Sequence, residues 1–242
     1  MQKSSIRTSF ILGAGLGTRL RPLTNNCPKP LLSVGGRPLI TYAMDHLISV
    51  GIERFIVNTH HLAEAYDKAF PNRKWRGLSI TFRYEPVLLD TAGGIKNIED
   101  LLDRDETILV YNGDTFTDLP LANLINAHYA NRKEATLALR SKGFPLNVTV
   151  NARGEICDLR HTLGDRGVKN CLFTGIYIVE KTFLRRLPVG RKESVVPVFI
   201  SMIREQPGSV AGIIIDEGSW FDIGSVADYE RINALFTEPV EE

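Results

Sequence analysis

The chain has 242 residues, 43% of them hydrophobic and 24% charged, and a formal net charge of +1. That length fits one α/β domain with a sizeable core and a small lobe, and the near-neutral charge argues against a general nucleic-acid or membrane-surface binder. Cys27, Cys157 and Cys171 form no C-x-x-C pair or Cys/His metal spacing, the opening MQKSSIRTSF lacks an apolar signal core, and no apolar run reaches the ~18 residues of a membrane helix, so a reducing, cytoplasmic setting is expected.

Thr8–Leu12 reads as a first strand that runs into a glycine-rich turn, within FILGAGLGTRLRPLTNNCPKPLL. Gly13, Gly15 and Gly17 let backbone N–H groups approach an anion closely. Arg19, and Lys29 between Pro28 and Pro30, add two fixed positive charges that suit a triphosphate and its departing pyrophosphate. A dinucleotide fingerprint would need glycine where this chain has Thr18, and an acid about 20 positions on; the nearest downstream acid, Asp45, falls in a predicted helix. No Walker A string occurs. A tight turn with glycines used only for geometry would leave Arg19 and Lys29 without a purpose.

Beyond this loop, Leu39, Tyr42, Ala43, Leu47 and Val50 recur at helical spacing, and Gly51 closes that helix. Arg54–Asn58 reads as a strand. Leu62, Ala65, Tyr66, Ala69 and Phe70 mark a helix ended by Pro71. Strands over Ile80–Tyr84, Thr107–Asn112 and Ala135–Arg140 alternate with helices over Ile95–Leu102 and Leu121–Asn131. The alternation predicts a Rossmann-like, doubly wound, mixed but mostly parallel sheet with right-handed crossovers. Ligands of such sheets sit at the carboxyl ends of the strands, where Gly13, Asn58 to His60, Glu85 and Gly113 to Asp114 fall.

After about residue 143 the rhythm changes. Asn147–Val150 and Glu155–Leu159 pattern as a hairpin around Ala152, Arg153 and Gly154. Cys171–Val179 is a further strand, and Pro197 suits the first turn of a helix to about Glu205. Ser209–Ile215 and Trp220–Ile223 read as strands and Val226–Leu235 as a closing helix, with Glu238 to Glu242 an acidic, frayed tail. With no linker in view, residues 1–242 read as one unit with two lobes, the first to about 142 and the second from about 143.

Three more groups carry chemistry. Gly113-Asp114 ends a buried strand, where a carboxylate can hold a hard cation such as Mg²⁺. Asp222, in Trp220-Phe221-Asp222-Ile223-Gly224, supplies a second carboxylate before a helix opened by Ser225. Thr91-Ala92-Gly93-Gly94, expected just ahead of a helix, lets backbone approach the edge of a base. Taken singly, Asp114 is a turn acid, Asp222 a helix cap and Gly93-Gly94 a loop; their joint occurrence behind the first motif weighs against that.

The order GAGLGTRLRPLT, PKPLL, NTHHLAE, DTAGGI, YNGDTF, FTGIYIV and WFDIGS resembles the short bacterial sugar-1-phosphate nucleotidyltransferases over nearly the whole chain. Within that family it looks most like the N-acetylmuramate-1-phosphate uridylyltransferases and mannose-1-phosphate guanylyltransferases. The resemblance implies transfer of a nucleotidyl group from an NTP, UTP or GTP, to a sugar 1-phosphate, with Mg²⁺ as cofactor. By it, Leu12, Gly13, Ala14, Gly15, Gly17, Thr18, Arg19, Lys29, Thr91, Ala92, Gly93, Gly94, Asn112 and Gly113 bind the nucleotide. Arg19, Lys29 and Asp114 are catalytic, and Asp114 and Asp222 hold Mg²⁺. Gly175 and Glu193 line the sugar site, so the resemblance makes the part to about 142 the nucleotide-binding half and the part from about 143 a small sugar-binding lobe.

One departure stands out. Longer relatives carry an E-K-P segment whose lysine holds the sugar phosphate, and here the region reads Cys157-Asp158-Leu159-Arg160-His161-Thr162. Arg160 or Lys169 takes that place, or the acceptor differs. The left-handed β-helix of bifunctional relatives has no counterpart, so no acetyltransfer is expected. The expected partners are the two substrates, with neither nucleic acid nor membrane, and the chain is expected as a monomer or homodimer. A metal-dependent glycosyltransferase would carry Asp-x-Asp where this chain has Asp114-Thr115-Phe116, and a non-catalytic nucleotide sensor would not need Arg19, Lys29, Asp114 and Asp222 together. His60 and His61 read as structural or substrate-lining, Cys27 as incidental, and Trp75 and Trp220 as packing residues.

Overall fold

The computed structural model describes residues 6–104, 106–164 and 167–236; the acidic tail from Glu238 to Glu242 lies outside them. In chain order the elements are β1 (Thr8–Leu12), the short hairpin β2 (Ser33–Val34) and β3 (Arg37–Pro38), α1 (Ile40–Ile48), β4 (Arg54–Thr59) and α2 (Glu64–Ala69). There follow β5 (Lys74–Trp75), β6 (Leu78–Tyr84), α3 (Asp90–Lys96), β7 (Ile108–Asn112), β8 (Thr115–Thr117), α4 (Leu121–Asn131) and β9 (Ala135–Arg140). The second half holds β10 (Val148–Val150), β11 (Ile156–Leu159), β12 (Lys169–Val179), α5 (Val195–Glu205), β13 (Val210–Ile214), β14 (Trp220–Asp222) and α6 (Val226–Ala234).

One mixed sheet runs β11-β10-β12-β7-β1-β4-β6-β5, and β9 and β13 extend it from β12. Strands β7, β1, β4 and β6 are parallel, while β12 returns antiparallel between β7 and β9. Side chains alternate across the pleat, so one strand feeds two cores. Phe10, Ile108 and Val110 join one apolar cluster with α3 and α5; Ile11, Leu109 and Tyr111 join another with α1, α2 and α4. A third, smaller cluster packs Leu20, Leu32, Val34 and Leu39 against Ile223 and Ile232. It ties the segment that carries Arg19 and Lys29 to the one that carries Asp222. Burying each such aliphatic side chain is worth about 1.5–3 kcal/mol, so a few residues suffice to hold two distant stretches in register.

The predicted alternation and the hairpin of β10 and β11 are present. The helix expected over Ile95–Leu102 is displaced. It spans Asp90–Lys96, and a separate 3-10 turn covers Glu99–Leu101. Low helix propensity of glycine pointed to a loop at Gly93-Gly94, and packing overrides it. A Cβ on Gly93 would lie 2.5 Å from the Arg191 carbonyl oxygen, and one on Gly94 would lie 2.9 Å from Asn58 Nδ2. Helix α3 approaches its neighbours so closely that only glycine fits. Helix α5 starts at Ser194, whose side chain accepts from Val196 N, and α6 at a capping box of Ser225 and Asp228. Strand β8 pairs antiparallel with β14, opposing Thr115 to Asp222.

Candidate active site

Two adjoining cavities open at the carboxyl ends of β1, β4 and β7. The smaller, about 340 Å³, is lined by Leu12, Ala14, Gly15, Asn58, Asp114 and Lys192 among others. The larger, about 720 Å³, is lined by Val148, Arg160, Gly175, Tyr177, Trp220 and Asp222 among others. Asp90, Thr91 and Asn112 line both and form the shared wall.

The glycine-rich turn is held from below. Asn58 Oδ1 accepts from Gly13 N at 2.7 Å, and Tyr66 Oη donates to the Gly13 carbonyl at 2.9 Å. Asn58 Nδ2 in turn donates to Glu85 Oε1 at 2.7 Å, while Glu85 Oε2 accepts from Leu89 N at 2.9 Å. Glu85 is fully buried, and burial raises its pKa against the pull of the Asn58 and Leu89 bonds. A Cβ on Gly13 would lie 2.7 Å from the Asn58 carbonyl oxygen, whereas one on Gly15 would meet nothing within 4 Å. Gly13 is thus required by packing, and Gly15 faces open space where an anion can approach. Gly17, at φ +61, turns the chain into the short 3-10 turn Thr18–Leu20 that carries Arg19.

Lys29 is 7% exposed and joins the two carboxylates. Its Nζ lies 2.5 Å from Asp114 Oδ2 and 3.9 Å from Asp222 Oδ1. Asp222 has its pKa raised by partial desolvation and by the charge of Asp114, against the pull of Lys29 and Arg19. The latter cation lies by the same strand end, since a Cβ on Gly224 would sit 3.3 Å from Arg19 Nη1. Among the described residues no group of three or more His, Cys, Asp or Glu forms a metal cage. Two carboxylates facing one cation is nonetheless the donor set that suits Mg²⁺, which typically takes one or two protein carboxylates and completes its shell with water and substrate phosphate.

The structure places the remaining expected residues unevenly. Leu12, Ala14, Gly15, Thr91 and Asn112 reach the smaller cavity. Ala92, Gly93 and Gly94 are buried inside α3 and touch protein, which corrects the reading of these glycines as a base-facing loop. Gly113 is buried too, where a Cβ would lie 2.6 Å from the Leu12 carbonyl oxygen. Gly175 has φ +79, and a Cβ there would fall 2.1 Å from Asn112 Nδ2, so glycine makes room for the side chain that divides the cavities. Arg160 lines the larger cavity. The buried Asp158 presents it by accepting from the backbone N–H groups of Thr162, Leu163 and Gly164.

Glu193 does not line the larger cavity. Its backbone carbonyl accepts from Ala92 N and Gly93 N, and the residue borders a separate hollow beside α5. Through its backbone Glu193 anchors the first turn of α3. His60 and His61 bond the backbone carbonyls of Glu85 and Thr24, in keeping with structural roles. Trp220 donates to the Thr174 carbonyl and also lines the larger cavity. Lys192, a cation that lines the smaller cavity, had no motif around it.

A family profile described as Nucleotidyl transferase matches residues 8–147. Mannose-1-phosphate guanylyltransferase of Mycobacterium tuberculosis is 32% identical over 230 residues, covering 93% of this chain and 63% of that protein. UTP–glucose-1-phosphate uridylyltransferase of Synechocystis sp. is 27% identical over 239 residues, covering 91% and 61%. The chain thus spans a little under two thirds of the length of these relatives. Among solved structures, the inositol-1-phosphate CTP transferase of T. maritima superposes with a TM-score of 0.77 at 20% identity, covering 98% of both chains. A UDP-glucose pyrophosphorylase of Acinetobacter baumannii gives 0.78 at 17% identity, covering 96% of this chain and 93% of that one. At such identity the likeness is one of fold. No helix among the described residues is long and apolar enough to cross a membrane.

Proposed function

The chain belongs to the nucleotidyl transferase family, and on that premise we propose that it transfers a nucleotidyl group from UTP or GTP to a sugar 1-phosphate. The products are an NDP-sugar and pyrophosphate. The observation that carries this reading is the Lys29 bridge. Asp114 lines the glycine-loop cavity, Asp222 lines the larger cavity, and Lys29 bridges the two carboxylates.

The smaller cavity suits the nucleotide, with backbone N–H groups at Ala14 and Gly15 and the cations Arg19, Lys29 and Lys192 near the phosphates. The larger cavity suits the sugar, with Arg160 as the cation for its phosphate. An oxygen of that phosphate attacks the α-phosphorus in line. The new P–O bond forms as the bond to the bridging oxygen breaks, and pyrophosphate leaves with the electron pair. The nucleophile is already an anion, so no general base is required. Catalysis reduces to positioning and to cations placed where charge builds. Asp114 and Asp222 would hold Mg²⁺, which would supply charge to neutralise the α-phosphate.

The test is a matrix of the NTPs against α-D-mannose, α-D-glucose and N-acetylhexosamine 1-phosphates, scored by pyrophosphate release. Release that needs both substrates supports the reading. Hydrolysis of a nucleotide sugar without pyrophosphate formation refutes it.

A further inference from the structure

Two walls of the smaller cavity come from distant parts of the chain. The glycine turn after β1 gives Ala14 and Gly15, and the approach to α3 gives Leu88, Asp90 and Thr91. Two polar side chains connect these walls, and the proposed reaction has no use for either. Asn58, near the end of β4, is 2% exposed, and Glu85, just after β6, is fully buried. The Glu85 carboxylate is met by neutral donors, and a buried charge held in that way is costly to keep.

The bonds run in one line. Gly13 N donates to Asn58 Oδ1 at 2.7 Å, Asn58 Nδ2 donates to Glu85 Oε1 at 2.7 Å, and Leu89 N donates to Glu85 Oε2 at 2.9 Å. The line begins and ends on a backbone N–H, which can only donate. One amide and one carboxylate complete it. Two amides would leave a donor facing a donor, and turning either amide over would only move the fault along the line. The ends are held in place, because the Gly13 carbonyl accepts from Tyr66 Oη and the Leu89 carbonyl accepts from Glu193 N. Helix α3 shuts off one side: a Cβ on Gly94 would lie 2.9 Å from Asn58 Nδ2 and 3.0 Å from Glu85 Oε1.

We propose that Asn58 and Glu85 form a strut that fixes the glycine turn against the head of α3, and so sets the width of the cavity that takes the nucleotide. This rests on the reading of the smaller cavity as the nucleotide site. Both are positioning residues. Their effect reaches the nucleotide through Gly13 at one end and through Asp90 and Thr91, which follow Leu89, at the other. The carboxylate is retained because the line needs a group that accepts twice.

Glu85→Gln keeps the shape and removes one acceptor. The Kd for UTP or GTP, whichever the wild type prefers, read by calorimetry without sugar phosphate, should rise at least ~10-fold, the scale of one unsatisfied buried donor. The deciding variant is the double exchange of Asn58→Asp with Glu85→Gln. It moves the carboxylate to position 58 and the amide to position 85, so that all three bonds can form again. The Kd should return to within about 3-fold of the wild type, as coupling within one bond network requires. A residue that merely fills space gains nothing from such an exchange. A Kd that Glu85→Gln leaves unchanged overturns the strut, and so does a loss that falls on the sugar phosphate alone. A double exchange no better than Glu85→Gln, in nucleotide binding or in folding, overturns it too, and this comparison holds even where Glu85→Gln fails to fold. A wild type that binds neither UTP nor GTP overturns the parent reading and the strut together. Nucleotide binding that follows the expected pattern, with no pyrophosphate released from any sugar 1-phosphate, supports the strut and overturns the transfer reading alone.

Discussion

The ammonium of Lys29 lies 2.5 Å from the carboxylate of Asp114, so without ligands the cation that would meet the phosphates already neutralises a carboxylate that would meet the metal. Substrate binding is then an exchange of partners. On the proposed reading Lys29 would turn from carboxylate to phosphate as a divalent cation took its place beside Asp114. A deeply placed lysine is maintained in this way without a net excess of buried charge.

Removing the lysine should therefore separate metal affinity from turnover. Lys29→Met leaves Asp114 and Asp222 facing each other with less to neutralise them. Calorimetry with Mn²⁺ in the absence of nucleotide should show tighter binding than in the wild type, while kcat falls on the order of 100-fold or more. Asp114→Asn and Asp222→Asn should lose turnover on the same scale, and EDTA should abolish it until Mg²⁺ is restored. Unchanged Mn²⁺ affinity in Lys29→Met would mean that the lysine does not compete for this site.

Arg19 is exposed at the mouth of the glycine loop, beside Gly224 and Asp222. If it stabilises charge that builds as pyrophosphate departs, its value lies in the transition state. Arg19→Ala should lower kcat by ~100-fold and weaken NTP binding only modestly. Intact turnover with weakened NTP binding would instead confine Arg19 to the ground state.

Gly175 and Glu193 should behave in opposite ways. Gly175→Ala forces a side chain into φ +79 and against Asn112 Nδ2. It should cost about 1–3 kcal/mol in stability and raise KM for both substrates, because Asn112 borders both cavities. Glu193→Ala should leave the sugar-phosphate KM where it is, since the anchoring bonds to α3 come from its backbone. A selective rise of that KM in Glu193→Ala would return the side chain to the sugar site.

Asp45 offers a pH test remote from the cleft. Burial pushes its carboxyl up, but bonds from Arg76, Arg37 and Trp75 outweigh this and bring it from 3.8 down to about 2. A depressed folded-state pKa stabilises above the unfolded value and is lost as pH falls through the folded one. The wild type should melt a few degrees above Asp45→Asn at pH 6, and the gap should close between about pH 4 and pH 2. A gap that stays constant across that range would show that the pairing carries no linkage.

What the chain discloses before folding is whatever is local. The glycine turn and Asp114 stand just after strand ends, so their spacing already places them at one edge, and Arg19 and Lys29 follow that turn in the sequence. Asp222 was legible only through the residues around it, since the third apolar cluster that brings it to Lys29 is assembled from both ends of the chain. Helix α3 misleads, because glycines that look like a loop are demanded by contacts with Arg191 and Asn58, neither nearby in sequence. The same non-local packing brings Lys192 to the smaller cavity, which no motif around it announces.

Strand β12 has an effect on how the activity can change. It carries Gly175 and Tyr177, and it is also hydrogen-bonded to β7, β9 and β10, which makes it the seam between the two halves. A substitution there to admit a new acceptor alters the joint that aligns the cavities. Diversification is cheaper on the opposite wall, around Pro145, Asn147, Arg160 and Ser194, outside the strands of the sheet. A library confined to that wall should yield altered acceptor range with nucleotide use intact, whereas one confined to β12 should yield mostly misfolded or inactive chains.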